Sequence, residues 1–210
     1  MSTYLQRYHH GDLRAALLSE GLALIQEGGA DALTLRKLAQ RLGVSHMAPY
    51  RHFPDKEALL AAIAADGFQQ LKARLELAEQ EGQEGQGSDA RASAKVAPSG
   101  PRSSPLLREG IAYVLFALDQ PALFRLMFGA SRPKGEYAEL DDSRAEAFGV
   151  VLRQIPGEAA SDAKRAKARG CWALVHGLAL LLLDGLLEVP EGVAAEEWLA
   201  KIVGSTVAKG

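Results

Sequence analysis

The chain has 210 residues, 48% of them hydrophobic and 24% charged, with a net charge of −2 and a single cysteine, Cys171. That is enough apolar material for one large core or two modest ones, while one cysteine excludes an internal disulfide framework or a cysteine-built metal cluster and fits a reducing compartment. The charge is unevenly spread: residues 1–60 hold seven Lys/Arg against six Asp/Glu, and four of the five histidines, so the slight basic excess that a polyanion binder needs sits at the start.

No basic segment followed by an apolar one opens the sequence, because charged residues from Arg7 to Glu27 punctuate it; no signal peptide is expected. Strand-type alternation is absent, and glycine, proline and capping residues separate segments of helical period, which predicts an all-α protein. A first helix runs from Asp12 to Gly28-Gly29 with Leu13, Leu17, Gly21 and Leu24 along one line. A second starts at Thr34 as N-cap, turns Leu35, Leu38, Ala39 and Leu42 inward and Arg36, Lys37 and Arg41 outward, and stops at Gly43. After the short Gly43-Val44 turn, Ser45 is expected to cap a third, brief helix that ends near Phe53 before Pro54. Phe53 and Val44 read as core. Asp55 caps a long helix with Leu59, Ile63, Gly67, Leu71 and Leu75 at intervals of four.

From Gly82 to Pro105 the composition turns to Gly, Ser, Gln, Pro and Ala without an aromatic residue, which reads as a flexible linker or loop. Beyond it the helical pattern returns and the aromatics concentrate. The expected organisation is a helix-turn-helix domain over 1–60, a connecting long helix over 61–81, a linker over 82–105 and a helical ligand-binding and dimerisation domain over 106–210. The most apolar stretch, Trp172 to Leu187, is short for a membrane span and carries His176 and Asp184. It reads as a buried helix of a soluble, cytoplasmic protein with no membrane partner.

Helix, tight glycine turn and short capped helix, resting on a preceding helix, is the outline of a helix-turn-helix. The third segment exposes His46, Met47, Ala48, Tyr50, Arg51 and His52, a mixture of polar, basic and small groups that fits a major groove about 12 Å wide. Pro49 lacks the N–H of one early helical hydrogen bond and crowds the Ser45 carbonyl, so a tightened or shifted first turn is expected.

Tyr8-His9-His10-Gly11-Asp12-Leu13-Arg14, then Thr34-Leu35-Arg36-Lys37-Leu38-Ala39 through Leu42-Gly43-Val44-Ser45, then Ala48-Pro49-Tyr50-Arg51-His52-Phe53-Pro54-Asp55-Lys56-Glu57-Ala58-Leu59-Leu60 closely resemble the N-terminal domain of the TetR/AcrR family of regulators. Pro121 to Phe128, and Trp172 with His176-Gly177, are similar to the branch named for its Trp-His-Gly ligand-domain signature. The resemblance implies that Thr34, Tyr50, His52 and Lys56 hold phosphates, that His46, Met47 and Ala48 face bases, and that Arg51 meets guanine or phosphate. Amides opened by Ser45 and Asp55 favour an anion, Arg36 joins the set as an outward cation, and Arg7 on the leading arm reaches a phosphate or the minor groove. Pro49 stands where the wider family commonly has an aliphatic residue.

In the second domain Trp172, Val175, Ala179, Leu182 and Leu186 form one seam and Leu174, Leu178, Leu181 and Gly185 another, so this helix needs cover on every side. The last helix offers Trp198, Leu199, Ile202, Val203 and Thr206 on one side. Leu178, Leu181, Leu182, Gly185 and those five are the expected homodimer interface, a four-helix arrangement that the resemblance also implies. Twofold pairing sets two reading heads about 34 Å apart and implies a pseudo-palindromic double-stranded DNA operator. A mostly apolar pocket is expected from Tyr113, Phe116, Phe124, Met127, Phe128, Phe148, Trp172 and His176, for a small hydrophobic or amphipathic effector that releases a repressor; His176 must find a hydrogen-bond partner there.

No catalytic residue, metal site or cofactor is expected. Cys171 and Asp184 stand five and eight residues from His176, off its helical face, and there is no phosphate loop, nucleophile elbow or cluster of metal ligands. The alternatives are a constitutive DNA-binding dimer without an effector and, more remotely, an enzyme using His176.

Overall fold

The computed structural model describes residues 13–84, 104–158 and 161–207, without the side chains of 81–84 and 206–207. Among them are eight α-helices, two short 3-10 turns and no strand. The chain is all-α, as the periodicity predicts.

Helix α1, Leu13–Gly28, buries Leu17, Gly21 and Leu24 of the apolar line read from the sequence, together with Ala16 and Ile25, while Leu13 is half-buried. A 3-10 turn over Ala30–Ala32 leads to α2, Leu35–Leu42, where the Thr34 hydroxyl accepts the Lys37 amide at 3.1 Å. Gly43 ends α2 in the left-handed region at φ 65°, a conformation that only a residue without Cβ adopts freely. Helix α3, Lys56–Glu84, opens with the Asp55 carboxylate accepting the Ala58 amide at 2.8 Å. Asp12, the expected start of the first helix, and Arg7 lie outside the described residues, as do residues 85–103 of the expected linker; at its two ends the linker gives way to helix, since residues 82–84 continue α3 and Pro105 opens α4.

The third, recognition segment departs from the expected α-helix. Between Ser45 and Phe53 the chain makes two consecutive turns and a 3-10 element confined to Pro49–Arg51. The Ala48 amide donates to the Ser45 carbonyl at 2.9 Å, Arg51 to Ala48 at 3.2 Å, and His52 and Phe53 both to Pro49 at 3.0 Å. The cause is Pro49: it has no N–H to return to Ser45, so the segment closes mainly with tighter i to i−3 bonds, and only Phe53 reaches back four residues. Ser45 therefore supplies a carbonyl acceptor rather than a side-chain cap. Phe53 is buried, whereas Val44 is only half-buried.

Helix α4, Pro105–Asp119, is capped by Ser104, whose hydroxyl accepts the Leu107 amide at 3.2 Å. It turns by 107° at Gln120 into α5, Pro121–Phe128. Helices α6, Ala138–Gln154, α7, Asp162–Leu183, and α8, Ala195–Val207, complete the fold. Helix α3 is the axis: it packs on α1 in front and on α4, α5 and α6 behind. At Gly67 an added Cβ would lie 2.8 Å from the Met127 sulfur and 2.9 Å from Leu123 Cδ1, so α5 approaches α3 more closely than a side chain would permit. The buried residues form one continuous core from Leu17 to Val203. The two halves therefore share packing, and strain in one reaches the other through α3.

Candidate nucleic-acid interface and buried pocket

The recognition segment stands on a closed base. Leu35, Leu38, Ala39, Pro49 and Phe53 are buried beneath it, and above it Met47 is 66% and Tyr50 47% exposed. Ser45, His46, Arg51 and His52 are exposed as well, while Ala48 is half-buried. His46, Met47, Tyr50, Arg51 and His52, among the residues that the sequence assigned to bases and phosphates, are thus exposed along one short segment. Thr34 and Arg36 are exposed on α2 and Lys56 is half-buried at the start of α3. The Thr34 hydroxyl oxygen is occupied as an acceptor by the Lys37 amide, which leaves its O–H free to donate.

Not every exposed cation here is unpaired. Arg41 is held by Glu27 and Glu20 of α1, at 2.5 and 2.8 Å, and the Glu27 hydrogen bond holds its guanidinium pKa above the usual value. It clamps α2 to α1. Arg14 pairs with Glu139 of α6 at 2.9 Å and lies 5.7 Å from the centre of the Phe53 ring. The Lys134 amide reaches Glu57 at 3.4 Å. These two links fasten the base of the reading head to the start of α6 and to the loop that precedes it.

Behind α3 lies a cluster of rings. The Trp172 indole N–H donates to the Tyr113 hydroxyl at 3.0 Å, and that hydroxyl meets His176 Nδ1 at 2.9 Å. Burial pulls the His176 pKa below its ordinary value and pushes that of Tyr113 up. With a neutral imidazole the chain of donors runs Trp172 to Tyr113 to His176, so His176 finds its partner in the protein. Phe124 and Phe128 pack on His176 with ring centres at 5.4 and 4.8 Å, and Phe148 packs on Trp172 at 5.7 Å.

Two cavities of about 20 Å³ each adjoin this cluster and share Leu75, Tyr113, Val151 and Trp172 in their walls. Tyr113, Phe128, Phe148 and Trp172 of the expected pocket line them. Phe116, Phe124, Met127 and His176 line neither: the first three are fully packed core. The cavity walls also include residues that the sequence reading did not assign to the pocket, among them Gly110, Val175, Cys171 and Glu109. Glu109 is 1% exposed, and neither carboxylate oxygen has a hydrogen-bond partner. Its signal was present in the sequence: Glu109, Tyr113 and Phe116 stand three and four apart, which sets an acid on an apolar helical face.

The expected dimer residues divide into two groups. Leu178, Leu199 and Val203 are buried in the chain's own core, because α7 and α8 first have to cover α4. Gly185 ends α7 at φ 66°, with the Leu186 amide donating to the Leu181 carbonyl at 2.9 Å, a helix stop of the Schellman type. In the single chain it terminates the helix and is exposed. Leu182, Trp198 and Ile202 are half-buried, whereas Leu181 is 45% and Leu186 75% exposed; the Thr206 side chain lies outside the description. By length and mean hydropathy α7 is apolar enough to cross a membrane, and only 22% of that window is buried. The helix read as buried thus keeps an uncovered apolar side in the single chain.

Among the described residues no group of His, Cys, Asp and Glu is arranged to hold a metal ion. Burial raises the Cys171 pKa, so its sulfur stays a thiol.

Comparison with known proteins places both halves. Residues 17–63 match the bacterial regulatory proteins of the tetR family, and residues 106–203 match the tetracyclin repressor-like C-terminal domain. The tetracycline repressor protein class G of Vibrio anguillarum is 48% identical over 50 residues, and the match spans 24% of this chain and about a quarter, 24%, of that repressor. A protein of unknown function from Rhodococcus sp. RHA1 has a solved structure that superposes with a TM-score of 0.70 at 31% identity, over 95% of this chain and 96% of that one. A bacterial regulatory protein in the tetR family from Rhodococcus RHA1 shares the fold at a TM-score of 0.59 and 19% identity, over 92% and 94% of the two chains. With a tetR-family head and a tetracyclin repressor-like body in one all-helical fold, the chain belongs to the tetR family of bacterial regulatory proteins.

Proposed function

We propose that the protein is a ligand-responsive, DNA-binding transcriptional regulator of the cytoplasm, a dimeric repressor that a small hydrophobic or amphipathic effector releases from a pseudo-palindromic operator. The observation that carries this reading is the exposed rim of His46, Met47, Tyr50, Arg51 and His52 on a buried base. Tyr50, His52, Lys56 and Thr34 donate to phosphates and set the register. His46, Met47 and Ala48 face base edges, with Arg51 on guanine or phosphate. Arg36 adds charge, and the amides that follow Ser45 and Asp55 add neutral donors. Because Pro49 shortens the recognition helix, base contacts concentrate on the side chains just before it.

Pairing falls to the uncovered side of α7 and α8, where Leu181, Leu182, Leu186, Trp198 and Ile202 meet their twofold copies. A helix this apolar and this little buried calls for a protein partner in water. The ring cluster with its two cavities is the effector region. An effector that spreads it moves α6, and with α6 the Glu139–Arg14 and Lys134–Glu57 links to the reading head. Trp172 and His176 converge on the Tyr113 hydroxyl, which favours a place in the Trp-His-Gly branch. The reading holds no catalytic step: Tyr113 occupies the Nδ1 atom of His176.

The small size of the two cavities favours one competing reading, a constitutive DNA-binding dimer without an effector. A thermal-shift screen of small apolar molecules separates the two. The primary test is to recover genomic fragments bound by the purified protein and sequence them. A shared inverted repeat is the expected result; binding without sequence preference rejects an operator-specific regulator.

A further inference from the structure

Among the described residues, the two oxygens of Glu109 are the only buried side-chain polar atoms without a hydrogen-bond partner. The obvious neighbours are committed elsewhere. The Tyr113 hydroxyl serves Trp172 and His176, Arg108 donates to the carbonyls of Ala78 and Glu79, and Arg153 pairs with Glu76 and Glu79. The Gln154 amide lies near enough to favour the carboxylate without reaching hydrogen-bond geometry. Burying an unpaired acid is costly, and a leucine would fill the same wall without that cost. Glu109 lines a cavity whose other walls are apolar or aromatic, including Leu106, Val175, Tyr113 and Trp172.

We propose that this cavity is the effector subsite for an organic cation bearing parallel N–H donors on a planar apolar body, an amidinium or guanidinium, whose two N–H groups are accepted by the two Glu109 oxygens. The proposal deepens the ligand-responsive reading and rests on it. Two unsatisfied oxygens on one carboxylate match a forked donor better than a single ammonium, and the aromatic walls favour a flat cation over a hydrated one. A void of about 20 Å³ holds little more than a water molecule, so the ligand has to join the two cavities by displacing part of the wall they share, of which Trp172 is the largest side chain. That movement breaks the Trp172–Tyr113 hydrogen bond and presses on Phe148 of α6, the helix that carries Glu139 to Arg14.

A proton readout accompanies binding. Burial first, and then the charge of Glu79, pushes the Glu109 pKa up to about 8, so at pH 7 the group is about nine-tenths protonated. A cation that binds its carboxylate form sends close to one proton to the buffer.

The test is to titrate the full-length protein at pH 7 with benzamidine and with its neutral analogue benzamide, by calorimetry in phosphate and in Tris. Glu109→Gln and Glu109→Leu are titrated alongside, and DNA affinity is measured with each compound. Benzamidine is expected to bind the wild type about tenfold or more tighter than benzamide, with release of close to one proton. Both variants should lose that advantage and keep their affinity for benzamide, and Glu109→Leu should melt above the wild type, which shows that its fold is intact. The proposal is overturned if benzamidine does not bind, binds no better than benzamide, or binds Glu109→Leu as it binds the wild type. If benzamide releases DNA and benzamidine does not bind, the cation assignment fails and the ligand-responsive reading stands. If benzamidine binds through Glu109 and DNA affinity is unchanged, the reverse holds.

Discussion

The reading head and the body behind it are built to different ends. In the head, the Thr34 and Asp55 caps, the Arg41 clamp and the closely packed leucines satisfy the groups that folding buries, and what is exposed is a rim of side chains on a fixed base. In the body, an acid is buried without a partner, two small cavities flank the ring cluster, and α7 keeps an apolar side uncovered. The head fixes a shape, and the body leaves groups unsatisfied, which the proposed effector and partner chain would satisfy. Regulation needs both, since a signal is a difference in energy between two arrangements, and only a region with something left to satisfy can hold that difference.

The largest test of this contrast is to charge the uncovered side. Leu181→Glu with Leu186→Glu puts four like charges across a twofold interface and leaves the exposed monomer surface tolerant of them. Sedimentation should give a monomer at micromolar concentration, and operator affinity should fall by about a hundredfold or more, because only one head engages each molecule. Monomers with full operator affinity would remove the body's part in binding.

Next in size is the buried acid. Its folded pKa, about 8, lies above the unfolded value near 4.5, so the stability it leaves in place is fully present below about pH 4.5 and is lost as pH rises through 8. Glu109→Gln abolishes that titration. Denaturant midpoints should therefore show the variant gaining on the wild type by a few kcal/mol between pH 5 and pH 9. A constant difference across that range would mean that the carboxyl finds a partner in solution. His176 acts in the opposite sense: its lowered pKa removes stability as pH falls through and below its unfolded value near 6.5.

The same contrast governs what the sequence disclosed. Helix ends in the head were legible because their causes are local: Thr34 and Asp55 carry their own caps, and Gly43 carries its own stop. Pro49 was legible as a disturbance, but whether the segment stays α or tightens to 3-10 depends on the closure of both turns around it. In the body the causes are tertiary. Leu178, Leu199 and Val203 have the same periodicity as Leu181, and nothing in periodicity says which side meets α4. Glu109 stands on an apolar helical face with Tyr113 and Phe116, but its burial follows only once α3, α7 and α8 close over it, and His176 had no visible partner until a helix 63 residues away in sequence supplied Tyr113.

Smaller effects separate the residues of the rim from its supports. Tyr50→Ala with Lys56→Ala should weaken operator binding about tenfold to a hundredfold and reduce the slope of log affinity against log salt by about one, because one cation is lost and one neutral donor. An unchanged slope would take Lys56 off the phosphates.

Thr34→Ala should have the smallest effect and is the sharpest discriminator, since Thr34 caps α2 and is also proposed for the rim. Its oxygen accepts the Lys37 amide, so urea unfolding should show a loss of about 1 kcal/mol from the cap alone. Its free O–H, if spent on a phosphate, adds a loss of roughly fivefold in DNA affinity. Thr34→Asp tells the two roles apart: a carboxylate still caps α2, but it repels a phosphate. Stability restored together with affinity lowered further places Thr34 on the DNA, whereas restoration of both makes it a support of the head and nothing more.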